Sequence, residues 1–213
     1  ILEAIENTHK NFDERQIPPP IHDKAFQRTI SSWGPRKQAD IARLRIGIVG
    51  LGSVGSIVAE ALLKTGIRKL TLIDFDTVEL KNLDRLQGIG RSSIGQLKID
   101  VVKRRLVKQR LVDGLMVQTV PHSIVEREGL LHALDCDVLF SCVDRPWARY
   151  VLNCISYANC IPVIDGGIEA AIKTNHSNLE YARWKAHAVG PGRICLNCLR
   201  QYSSEDVGLE QSG

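Results

Sequence analysis

The run Arg45-Ile46-Gly47-Ile48-Val49-Gly50-Leu51-Gly52-Ser53-Val54-Gly55 constrains the fold more than any other part of the chain. A short apolar strand leads directly into a glycine cluster. Val54, Val58, Ala61 and Leu62 then recur at helical spacing, and Gly66 offers a stop. Lys69 to Asp74 reads as a second strand. A strand, helix and strand in this order form a βαβ unit, whose crossover joins parallel neighbours. Aromatic residues make up only 5% of the chain, whereas Val, Ile, Leu and Ala are plentiful. That balance suits a buried parallel sheet covered by helices on both faces.

The pattern continues. A helix is predicted over 94–111, with Ile94, Leu97, Val101 and Val102 on one face, and a third strand over 115–120. A fourth strand covers 137–142, a helix 147–159 and a fifth strand 161–165. Further strands are expected over 168–185 around a polar turn at Asn175-His176-Ser177-Asn178, with loop beyond. Residues 24–43 read as helix broken at Gly34-Pro35. Residues 1–24 are expected to be an extension or linker, stiffened by Pro18-Pro19-Pro20. The expected fold is a Rossmann-like three-layer α/β domain over 25–213 with a mainly parallel sheet.

Gly50, Gly52 and Gly55 match G-x-G-x-x-G between strand and helix. Glycines let the backbone turn tightly and approach a phosphate, and the next helix offers unpaired N–H groups. Asp74, 19 residues beyond Gly55, can accept hydrogen bonds from ribose hydroxyls. These features do not separate NAD or FAD from ATP. The segment from Asp74 to Arg85 goes further, because Asn82, Arg85 and then Lys98 follow the strand's C-terminal end, where open α/β sheets bind ligands. Arg85 can fork two phosphate oxygens and Lys98 can act as a point charge on another.

These segments resemble the ThiF/MoeB/HesA family of E1-like, ubiquitin-activating-like adenylating enzymes. The resemblance rests on Ile48–Ser56, Leu72–Arg85, Gly95–Lys98, the series Asp144, Arg149 and Asn153, and Cys195–Leu199, and spans about Phe26 to Leu199. It implies ATP with Mg²⁺ rather than NAD. Gly50, Gly52 and Gly55 would lie against the nucleotide, Asp74 on its ribose, and Asn82, Arg85 and Lys98 on its phosphates. Asp144 would serve Mg²⁺ and catalysis. The alternative for Asp144 is a helix N-cap, since Pro146 starts the next helix. Arg28, within Phe26–Ile30, resembles an arginine supplied to a partner subunit's ATP. Asp84 stands where many relatives carry Gln or Asn, beside Arg85, and can either weaken that contact or hold it.

The implied reaction is adenylation of a carboxylate, the C-terminus of a ubiquitin-like or sulfur-carrier-like protein, by a homodimer. A small molecule or tRNA base is a variant substrate. An ionised carboxylate needs no general base, so a site of Arg, Lys, Asn and Asp suits the chemistry. Two other readings stay open: an NAD- or FAD-dependent oxidoreductase, which leaves Arg85 and Lys98 without a role, and a non-catalytic E1-like dimerisation scaffold.

Cys195 and Cys198 have the spacing of half a zinc site, and no cysteine follows them. His187 is assigned to the loop. Cys136, Cys142, Cys154 and Cys160 lie in apolar stretches and read as small buried residues, and Cys142 and Cys160 are poor nucleophile candidates. Adenylation alone is expected from these residues. Against the family, the chain is expected to lack a final helix and strand. A formal charge of +4 does not call for nucleic acid. No apolar run suggests a membrane span, and the cysteine usage fits a cytoplasmic protein.

Overall fold

The computed structural model describes residues 24–111, 113–172 and 179–212. The turn expected at Asn175–Asn178 and the segment 1–23 lie outside them. After a turn of 3-10 helix at Lys24–Phe26 come α1 (Gln27–Trp33) and α2 (Pro35–Arg43). Gly34, at φ +86°, makes the break, and Pro35 opens the second helix where no N–H is needed. The Gln38 side chain is fully buried but satisfied: it takes the Trp33 Nε1–H at 2.8 Å and donates to the Thr65 carbonyl at 2.8 Å.

The strands β1 (Arg45–Val49), β2 (Lys69–Ile73), β3 (Met116–Val120), β4 (Val138–Ser141), β5 (Val163–Ile172) and β6 (Leu179–Val189) form one sheet in the order β3-β2-β1-β4-β5-β6. The first five run parallel, and β6 pairs antiparallel with β5. The order reverses between β1 and β4, and such a switch point opens a crevice at the strands' C-terminal ends.

Alternate side chains along each strand enter opposite layers. Ile46, Ile48, Leu70 and Leu72 pack with Ala59 and Leu63 of α3 (Ser53–Lys64) and with Ile99, Val102 and Leu106 of α4 (Lys98–Lys108). Val49, Ile73, Val120 and Val163 pack on the other side with Ala133 of α5 (Arg127–Leu134), Leu152 and Ile155 of α6 (Pro146–Ala158) and Val207 of α7 (Ser204–Ser212). The sheet is therefore covered on both faces, as a parallel sheet must be.

Several boundaries differ from the sequence expectation. The fourth helix starts at Lys98, not Ile94. Gly95 adopts φ +83° and donates to the Val78 carbonyl at 2.8 Å, while Val78 donates to Gln96, so 95–97 run as a bridge against 77–78. Ile94 is consequently exposed. On α3 the buried line is Ser56, Ala59 and Leu63, and Ala61 faces solvent. The strand expected at Ile161 begins after Pro162 and continues to Ile172, so the strands expected from 168 are its second half and β6. α5 lies where the sequence predicts no element, and α7 replaces part of the expected loop. Cys154 and Cys160 are exposed rather than buried, because Cys154 faces outward from the C-terminal half of α6 and Cys160 lies just past the helix end at φ +54°.

Candidate active site

A cavity of about 370 Å³ opens along the C-terminal ends of β1, β2, β4 and β5. That volume is in the range of small-molecule sites. Its floor is the glycine turn, and the structure gives the three glycines different tasks. Gly50 turns the chain at φ +87°, and a Cβ there would lie 2.6 Å from the Cys142 carbonyl oxygen. At Gly55 a Cβ would lie 1.9 Å from the Gly50 carbonyl oxygen, so only glycine lets α3 start so close to the turn. A Cβ at Gly52 would meet nothing within 4 Å, and Gly52 lines the cavity. α3 has no side-chain cap, so its first N–H groups, at Ser53 and Val54, border the cavity and complement an anion.

Asp74 ends β2 with 8% of its surface exposed. Its Oδ2 accepts the Leu51 N–H at 2.5 Å and its Oδ1 the Asp76 N–H at 2.7 Å. The carboxylate thus ties the glycine turn to the loop after β2. Burial pushes its pKa up from 3.8, against those two N–H donors, which pull it down. Lys98, the first residue of α4, is 8% exposed, and its Nζ donates to Asp76 Oδ2 at 2.7 Å. Both residues line the cavity.

Asn82 is buried, and its Oδ1 accepts the Glu79 N–H at 3.0 Å in a reciprocal cap of the turn Leu80–Asn82. This turn presents Arg85 to the cavity. Arg85 Nη1 donates to the Lys81 carbonyl at 2.7 Å and to Asp84 Oδ1 at 3.2 Å. Asp84 therefore touches the guanidinium, in a pair that is half exposed or more and weakly coupled.

Asp144 faces the cavity from the opposite wall. The N-cap alternative is not what the structure shows: the cap position of α6 is Arg145, with no side-chain cap hydrogen bond. Asp144 is exposed, and among the described residues its carboxylate has no hydrogen-bond or ion-pair partner.

Sequence reasoning assigned no role to other residues of this wall. Arg149 lines the cavity from α6, with its Nε 3.6 Å from the buried Asp165 Oδ1 and its Nη1 donating to the Gln201 carbonyl at 3.4 Å. Ser141 donates to the same Asp165 oxygen at 2.5 Å. Gly166, Gly167, His122 and Ser123 also line the cavity. The series Asp144, Arg149 and Asn153 marks Arg149 in the sequence, but not its place on the cavity wall. Cys142 also borders the cavity, but burial pushes its thiol up to about 12, which makes it a poor nucleophile.

Two sets of predicted residues lie elsewhere. Arg28 is exposed on α1 and is not part of the cavity wall. Cys195 and Cys198 follow β6, where the Cys198 N–H donates to Cys195 Sγ at 3.3 Å and draws the Cys195 pKa down. Asn153 Oδ1 holds this loop to α6 through the Leu196 N–H at 2.9 Å. The His187 ring is engaged with the Ile194 carbonyl at 2.8 Å. Among the described residues no group of three or more His, Cys, Asp or Glu is placed to hold a metal. The pair supplies two of the four ligands that a structural zinc takes.

The sequence model of the ThiF family matches residues 26–206. Among curated proteins, ubiquitin-like modifier-activating enzyme 5 of Drosophila virilis is 28% identical over 175 residues, covering 76% of this chain and 44% of that protein. Molybdopterin-synthase adenylyltransferase of Escherichia coli K12 is 28% identical over 165 residues, covering 76% of this chain and 61% of that protein. The chain thus spans about half the length of the curated relatives it matches. Among solved structures, E. coli MccB with ATP superposes with a TM-score of 0.65 at 21% identity, over 92% of this chain and 57% of the other. That likeness shows a shared fold.

Proposed function

The chain belongs to the ThiF family, and from that premise we propose that it catalyses ATP-dependent adenylation of a carboxylate, the C-terminus of a ubiquitin-like or sulfur-carrier-like protein. One observation carries the reading. The cations Arg85 and Lys98, the acids Asp74 and Asp144, and the open N-terminus of α3 all border a single cavity. The names of the relatives support it: one is a ubiquitin-like modifier-activating enzyme, one an adenylyltransferase. MccB, which shares the fold, has been solved with ATP.

In this reading the triphosphate lies on the glycine turn, close to the Ser53 and Val54 N–H groups. Asp74 bonds the ribose through the lone pairs that Leu51 and Asp76 leave open. Arg85 and Lys98 hold the phosphates. An oxygen of the substrate carboxylate attacks the α-phosphorus, and the bond from that phosphorus to the bridging oxygen of the β-phosphate breaks. Pyrophosphate leaves with the electron pair, and no proton moves. Nucleophile and triphosphate repel each other, so fixed positive charge must offset both that repulsion and the charge gathering on the leaving group. Lys98 is suited to this because burial strengthens its field, and the Asp76 carboxylate fixes its position.

Asp144 has an unengaged carboxylate on the cavity wall, which fits a magnesium ligand. Bound there, Mg²⁺ would neutralise phosphate charge. Zinc does not fit Cys195 and Cys198 by themselves, since the remaining ligands are not among the described residues. Residues 25–213 serve as the adenylating domain and residues 1–24 as an extension. Arg28, exposed outside the cavity, acts on the nucleotide of a second copy in a homodimer.

The test uses α-labelled ATP and a ubiquitin-like protein with a free C-terminal carboxylate, compared with the same protein amidated at that end. Label on the free form alone supports the reading. Label on neither form, with NAD or FAD bound instead, would overturn it.

A further inference from the structure

The chain carries 28 basic and 24 acidic residues. Six of the basic ones and one acid fall between Lys98 and Arg110, so the remaining 22 basic and 23 acidic residues nearly balance. The whole positive excess therefore sits on α4 and the two residues after it. Lys98 belongs to the nucleotide cavity, and Arg105 is paired with Glu60 at 2.9 Å. The other four cations, Lys103, Arg104, Lys108 and Arg110, have no carboxylate within ion-pair distance among the described residues.

Their arrangement is not that of an ordinary solvated face. Lys103 and Val107 form one row along α4, Arg104 and Lys108 the next, and Arg110 and Leu111 follow just past the end of the helix. Arg104 and Lys108 repel at a spacing of four residues, which opposes the helix by a few tenths of a kcal/mol. The helix dipole accounts for Lys108 in the last turn, but not for Lys103 and Arg104 a turn earlier. The four cations surround Val107 in an open groove of about 560 Å³. Val107 is 38% exposed, Leu111 36%, and Met116, at the start of the edge strand β3, 62%.

We propose that this face of α4 is a docking surface for an acidic, amphipathic segment of a partner protein, whose carboxylates meet Lys103, Arg104, Lys108 and Arg110 while an apolar side chain covers Val107. Charge complementarity selects an anionic partner. The apolar side chains interleaved with the cations select protein over RNA. Phosphates need no partner for Val107 or Leu111, and no aromatic residue between Lys98 and Met116 offers a ring for base stacking. The surface is separate from the nucleotide cavity: none of these four cations lines it.

The experiment is fluorescence anisotropy with three labelled probes of equal length: a peptide of Glu, Asp and Leu, the same peptide with Leu replaced by Ser, and a mixed-sequence RNA. The Leu-containing peptide should bind most tightly, and rising salt should weaken it. The double variant Lys103→Glu, Arg104→Glu should weaken it by about tenfold or more. Val107→Ser should remove the preference for Leu over Ser. All three side chains reach the surface, so thermal melting should match the parent chain, and ATP-pyrophosphate exchange should be unchanged. Tighter binding of RNA than of either peptide would overturn the proposal, as would equal affinity of parent and double variant for the Leu peptide.

Discussion

Asp74 and Leu51 are joined by a 2.5 Å hydrogen bond from the Leu51 N–H to Oδ2 of the carboxylate, which clamps the glycine turn onto the end of β2. The same carboxylate accepts the Asp76 N–H, so one buried acid positions both the glycine turn and the anchor of Lys98. In Asp74→Asn one of these N–H groups meets an NH₂ donor. Leaving it unpaired costs about 1–3 kcal/mol, and nucleotide affinity should fall with it. The pH dependence has a definite sign. Burial raises the folded pKa above 3.8, so this group's contribution to stability is fully present below 3.8 and is lost as pH rises through the folded value. Denaturation of parent and variant across that range should therefore show the stability gap narrowing as pH increases. A gap that widens would contradict the assignment.

Gly55 and Gly52 should separate fold from function. Gly55→Ala places a methyl group 1.9 Å from a backbone oxygen and should destabilise the chain by on the order of 3 kcal/mol. Gly52→Ala meets no protein atom within 4 Å, so the melting temperature should hold while nucleotide affinity drops. Calorimetry and ATP titration on both variants check this. Equal loss of stability in the two would show that Gly52 serves packing instead.

The two cations should differ in what they tolerate. Lys98→Ala should reduce adenylation by about 10²-fold, as removal of a buried charge-stabilising donor does. Lys98→Arg should not rescue it, because a forked guanidinium does not fit a buried point-charge site. Arg85→Ala should weaken phosphate contact without lowering the melting temperature, since the side chain is half exposed. Rates and melting curves for the three variants test the distinction, and a rescued Lys98→Arg would argue against it.

Arg28 calls for a mixing experiment. If it serves the nucleotide of a second copy, Arg28→Ala and Lys98→Ala should each be impaired alone, and the mixture should recover part of the activity. Mixtures no more active than their components would place Arg28 outside the reaction.

Much of this site could be read from the residues in order. The turn Gly50–Gly55 and the segment Asp74–Arg85 are continuous in sequence, and their spacing alone places them at the strand ends. Lys98 was found although its helix was drawn four residues early, because the positive φ of Gly95 is invisible to apolar periodicity. The Gly166-Gly167 stretch joins the cavity only through the pairing of β4 with β5, which sequence does not show. α7 buries little, so its periodicity is faint, yet a signal existed: Ser203 Oγ accepts the Asp206 N–H at 3.0 Å, a cap written as Ser-x-x-Asp.

The central claim is that cations placed after β2 hold a triphosphate for attack by a carboxylate. The most direct measurement is the return of labelled pyrophosphate into ATP, with and without a carboxylate substrate, in the parent chain and in Lys98→Ala. The account predicts carboxylate-dependent exchange in the parent and its loss in the variant. Exchange of equal rate in both proteins would contradict it.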